Sequence, residues 1–117
     1  MMNEEKMKKA GLEYEQGLKR FAGKQPLYEK YLRNFLTDSH FDESRTACEA
    51  KDYKQALESS HALKGIAGTL GLTKLFQAAS ELVESIRHEE FHKVEGYFKV
   101  MEEAYKISCD AIHSLDE

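Results

Sequence analysis

Apolar residues recur every three or four positions through most of this chain and almost nowhere alternate in the period of two that a half-buried strand needs. With one proline, Pro26, to interrupt it, the pattern predicts helix nearly end to end. Tyr14, Leu18 and Phe21 make one side of a short first helix that Gly23 is placed to stop, and Pro26 suits the first turn of the next. That second helix carries Tyr28, Tyr31, Leu32 and Phe35 on one face. Its periodicity blurs from Thr37 to Ser44 and resumes at Ala47 and Cys48, which predicts an end near Glu49. A turn at Ala50-Lys51-Asp52 leads to a third helix, where Ala56, Ser60, Leu63, Ala67 and Leu70 step alternately by four and three, the spacing of a bundle seam. Past Gly71, Thr73 is placed to cap a fourth helix with Leu75, Ala78, Ala79, Leu82, Val83 and Ile86 inward and an end near Arg87. Phe91, Val94, Phe98, Met101, Tyr105, Ser108, Ile112 and Leu115 mark the inward side of a last helix. Short connections make sequential helices antiparallel, so the expected fold is all-α: an antiparallel up-and-down four-helix bundle with a short additional N-terminal helix.

Length and composition narrow this further. A chain of 117 residues, 41% hydrophobic, supplies one modest core, so residues 1–117 read as a single domain, with the charged residues 1–10 as a loosely ordered N-terminus. The net charge is −4, and the 17 Lys and Arg are dispersed among 21 Asp and Glu, which excludes the basic footprint of a nucleic-acid binder. No apolar h-region opens the chain and no long apolar run follows, so neither a signal peptide nor a membrane span is expected, and the chain reads as cytoplasmic. Cys48 and Cys109 stand outside any C-x-x-C spacing and read as small core residues rather than a bridge or metal pair. The absence of a glycine-rich nucleotide loop argues against an enzyme with kinase activity of its own.

The candidate chemistry lies on the third helix. His61, Lys64, Gly65 and Gly68 fall at i, i+3, i+4 and i+7, on one helical stripe. Glycine inside a helix costs about 1 kcal/mol relative to alanine, so two beside one imidazole point to another protein approaching that backbone closely. At roughly 100° per residue the seam lies about 150° around the helix from this stripe, which turns the histidine towards water. A neutral imidazole offers a ring nitrogen as a nucleophile towards phosphorus, and Lys64 can set its ammonium beside a phosphoryl group carried on His61. Leu57, at i−4, and Leu72 lie near the stripe and offer an apolar landing patch, against the plainer reading of edge-of-core packing.

The run His61-Ala62-Leu63-Lys64-Gly65-Ile66-Ala67-Gly68-Thr69-Leu70-Gly71 resembles the H-x-x-K-G-x-A-x-x-x-G signature of histidine-containing phosphotransfer (HPt) domains. Gly17-Leu18-Lys19-Arg20-Phe21-Ala22-Gly23 through Leu27-Tyr28 and Leu32 to Phe35 is similar to the family's leading segment, and Leu75 to Ile86 to the helix after the motif. The resemblance implies a histidine phosphocarrier in a two-component phosphorelay. His61 would accept a phosphoryl group from the aspartyl phosphate of a response-regulator receiver domain and pass it to another receiver. Lys64 would help hold that group, and Gly65 and Gly68 would lie beneath the docked receiver. No cofactor of its own is implied, since Mg²⁺ would belong to the receiver. A hybrid histidine kinase is implied upstream, and a monomer is expected. In one departure, the position where such domains often carry Glu or Gln to bond the other ring nitrogen is Val83, and Glu81 or Glu84 could substitute only if the helix rotates.

Other readings compete. A module that docks receivers without exchanging phosphate fits the same stripe. His88-Glu89-Glu90-Phe91-His92 spells the zinc-protease pattern H-E-x-x-H, which needs one continuous helix, a third ligand and a cleft; the apolar phase changes between Ile86 and Phe91, so a solvated turn and no metal are expected. His40 and His113 lack companions at ligand spacing and read as surface residues. A histidine-kinase dimerisation hairpin fits worse, because the acidic residue that usually follows its histidine is Ala62 here. The seam could support self-association, but a closed monomeric bundle uses the same residues.

Overall fold

A computed structural model describes residues 2–117. It contains the helices α1 (Glu4–Ala10), α2 (Tyr14–Arg20), α3 (Gln25–Phe35), α4 (His40–Glu49), α5 (Tyr53–Leu70), α6 (Thr73–Arg87) and α7 (Val94–His113), with 3-10 turns at Phe91–Lys93 and Ser114–Asp116 and no strand among the described residues. The last four make the up-and-down bundle: α5 packs against α4 and α6, and α6 against α7, while α1 lies along α7 and α2 against α5. The seam read from the third helix is the buried side of α5, with Ala56, Ser60, Leu63 and Ala67 fully enclosed. Leu32, Leu75, Leu82, Met101 and Ile112 meet it in the core, and each such side chain withdrawn from water stabilises the fold by about 1.5–3 kcal/mol. No helix among the described residues is long and apolar enough to cross a membrane.

Three expectations change. The single helix expected from Pro26 to Glu49 is two, α3 and α4, broken at residues 36–39. Polar side chains there satisfy the backbone locally: Thr37 Oγ1 donates to the Asn34 carbonyl at 3.1 Å, and Asp38 accepts from the His40 N–H at 2.9 Å, offering the chain an alternative to the helix. Of the stretch 1–10 read as loose, residue 1 lies outside the described residues and Glu4–Ala10 form α1 instead. Asn3 caps it by accepting from the Lys6 N–H at 3.0 Å, Gly11 ends it at φ 62°, and Ala10 is buried. Thr73 does not cap α6 but is its first residue, after Leu72.

The zinc pattern loses its geometric premise. α6 ends at Arg87, Glu89 takes a left-handed φ of 56°, and Phe91–Lys93 is a separate 3-10 turn, so His88 and His92 do not share a helical face. Cys48 and Cys109 are free thiols, half-buried, and burial pushes both above the usual thiol range.

Candidate functional site

α5 is started by Asp52, whose carboxylate accepts from the Gln55 N–H at 3.2 Å, and stopped by Gly71 at φ 80°. Gly71 has a second reason to lack a side chain: a Cβ there would come within 2.7 Å of the Glu13 carbonyl oxygen, which lies in the segment before α2. The rotation of α5 about its own axis is fixed next to the histidine. Ser60 Oγ and Ser44 Oγ of α4 share a buried hydrogen bond of 2.7 Å, and the C-terminal carbonyl of Leu70 accepts from the Tyr28 hydroxyl at 2.6 Å. With Ser60 turned into the core, the next residue, His61, is exposed.

Along the stripe His61 and Gly65 are exposed, while Lys64 and Gly68 are half-buried. Among the described residues no hydrogen bond involves the His61 ring, and Val83, at the position where an orienting acceptor was sought, is wholly buried. Neither glutamate replaces it. Glu84 is drawn to Arg87 at 3.1 Å and lies 3.9 Å from His88, while Glu81 sits with Lys74, Val100 and Glu103 in a furrow between α6 and α7. Lys64, half-buried, takes part in no ion pair among the described residues, and its Nζ lies 5.7 Å from the centroid of the Phe76 ring.

The glycines differ in their surroundings. Outside the neighbouring backbone of its own helix, a Cβ at Gly65 would meet nothing within 4 Å among the described residues, so none of them requires its bareness. A Cβ at Gly68 would meet Phe76 Cδ2 at 3.1 Å and Cε2 at 3.3 Å, so this glycine seats an aromatic ring of α6. The two leucines part as well. Leu57 is half-buried and packs on the core. Leu72 has no exposed surface and cannot serve as a landing patch: it pairs in an isolated antiparallel bridge with Leu12, which folds the α5–α6 turn under the segment joining α1 to α2.

Residues that the sequence reading did not assign to the site complete the face. Gly65 lies between two depressions. One is lined by Arg20, Gly68, Thr69 and Phe76, the other by Phe21, Tyr31, Ile66 and Leu70. Tyr31, read as inward, is 48% exposed and rests on Phe21 at a centroid distance of 5.3 Å; Phe76 is 39% exposed. Large apolar side chains left in water on either side of such a bare position are what a docking partner covers. The cue available in the sequence was position: Tyr31 and Phe76 fall at the edges of their helices' apolar arcs.

Comparison with known proteins agrees with this geometry. The family model described as "Hpt domain" matches residues 30–113, which include α4 to α7 and the whole stripe. The phosphorelay intermediate protein rdeA of Dictyostelium discoideum is 28% identical over 109 residues, covering 90% of this chain. The chain spans 41% of that relative's length. No solved structure gave a significant match. With its family match extending over most of the sequence, the chain belongs to the Hpt domain family.

Proposed function

We propose that the chain is a histidine phosphocarrier, with His61 taking a phosphoryl group from the aspartyl phosphate of one response-regulator receiver and giving it to another. The observation that carries this is the exposed imidazole of His61 on a rotationally fixed helix, with Gly65 beside it open to an approaching surface. In the transfer, the lone pair of a ring nitrogen forms a bond to phosphorus as the bond from phosphorus to the aspartyl oxygen breaks, and the carboxylate leaves with that electron pair. The other ring nitrogen keeps its proton or yields it to water, since no acceptor among the described residues bonds it. Lys64 offsets the charge brought onto the ring. Mg²⁺ belongs to the receiver in this scheme. The relative from Dictyostelium discoideum, a phosphorelay intermediate by name, supports the same reading.

The test is incubation with phosphorylated receiver domains. Wild type should acquire an acid-labile, base-stable phosphate that His61→Gln does not acquire. Label retained by His61→Gln would place the site elsewhere, and binding without label would make the chain a docking module only.

A further inference from the structure

The contact between Lys64 and Phe76 is not used by the scheme above, in which Lys64 acts alone, yet it lies on the same face. Phe76 is on α6, whose buried side is made by Leu75, Ala78, Ala79, Leu82 and Val83, and the ring stays substantially in water rather than joining them. Gly68 receives it: the ring edge occupies the space in which any larger residue at 68 would carry its Cβ, at 3.1 and 3.3 Å. From that seat its π system lies 5.7 Å from the Lys64 ammonium, within the range at which a ring attracts a cation. No carboxylate among the described residues competes for that ammonium.

We propose that Phe76 is a positioning residue that acts through Lys64, holding its ammonium on the rim of the docking face one helical turn from His61. The proposal rests on the phosphocarrier reading. A lysine side chain free in water samples many rotamers, and closing it over a phosphorylated ring requires giving that freedom up. A ring that restricts the ammonium to one side beforehand lowers this entropic barrier, and more so once a partner excludes water from the ring. Attraction of a cation to an exposed ring favours the held rotamers by about 2- to 5-fold, which sets the size of the effect.

The experiment measures single-turnover transfer from a phosphorylated receiver, over a range of receiver concentrations, for wild type, Phe76→Leu, Phe76→Tyr, Lys64→Ala and Phe76→Leu/Lys64→Ala. His61→Gln serves as the control for the site itself. Phe76→Leu is expected to lower the saturating rate by about 2- to 5-fold with little change in half-saturating concentration, Phe76→Tyr to restore it, and Phe76→Leu to have no further effect once Lys64 is Ala. An independent readout is the ring-current shift of the Lys64 ε-methylene protons, expected in wild type and Phe76→Tyr and lost in Phe76→Leu. A Phe76→Leu defect of equal size in the Lys64→Ala background, or a defect confined to half-saturation, would overturn the proposal, as would the absence of a ring-current shift in wild type. Failure of the phosphocarrier reading would look different: label on His61→Gln, or none on wild type, with the ring-current shift intact.

Discussion

Gly65→Ala should stabilise the protein and impair it. The glycine is exposed in the interior of α5, and a methyl group there meets nothing within 4 Å, so the substitution gains the helix propensity of alanine without a steric cost. That gain is about 0.8–1 kcal/mol. For 117 residues, an unfolding entropy of about 2.1 cal/mol/K per residue amounts to about 250 cal/mol/K, so 1 kcal/mol raises Tm by about 4 °C. Seen from a docked partner, the same methyl is an intrusion into a fitted surface, and overpacking of that kind costs about 1–3 kcal/mol, or roughly 5- to 150-fold in affinity or transfer rate. Thermal denaturation followed by circular dichroism reads the first number, and transfer from a phosphorylated receiver reads the second. A variant that is stabilised and transfers at the wild-type rate would refute the idea that Gly65 is bare for a partner's sake. A destabilised variant would refute the open environment itself.

Three further outcomes follow from other contacts. Ser44→Ala leaves the buried Ser60 hydroxyl without its 2.7 Å partner and should cost about 1–3 kcal/mol in urea unfolding, whereas Ser44→Ala/Ser60→Ala should cost less than the two single changes combined; a fully additive pair would refute the coupling. Leu72→Ala should lower stability by about 2–5 kcal/mol, because the side chain lies in the core and not on the docking face, and a loss of transfer without loss of stability would return Leu72 to the interface. Tyr14 donates to Glu29 at 2.7 Å; burial first, then this bond, pushes the phenol up to about 12, while the bond holds the Glu29 carboxyl below its usual range. The folded state thus keeps the phenol proton more tightly and the carboxyl proton less tightly than the unfolded chain. The stability of wild type over Tyr14→Phe should be fully present between the ordinary carboxylate range and pH 10, and decline both as pH rises towards about 12 and as it falls through the acid limb. Urea midpoints across pH check this, and a difference that stays flat would count against it.

Much of the fold was legible because helical periodicity reports burial directly. The seam of Ala56, Ser60, Leu63, Ala67 and Leu70 is buried in full, and the stripe on the other side of α5 leaves His61 in water. What periodicity missed was decided by local polar chemistry or by packing between distant segments. The break between α3 and α4 follows from Asp38 and Thr37 binding backbone groups, which an apolar count does not register. α1 was written in different signals: Asn3 as cap, Glu4 and Glu5 in the first turn, Lys8 and Lys9 in the last, and Gly11 beyond. Leu72 was misplaced because its cover, Leu12, comes from sixty residues earlier in the chain. Gly68 was legible as a close approach, but the neighbour that requires it is a ring of the same molecule.

The bridge from Leu12 to Leu72 and the Tyr28 hydroxyl on the Leu70 carbonyl bear on how this protein can be dissected. A fragment cut to residues 30–113, where the family match runs, would strip the lid from the C-terminal end of the histidine-bearing helix, uncovering Leu72 and leaving the Leu70 oxygen unclaimed. Such a minimal version would keep every residue of the motif while losing the clamp that holds their helix in place.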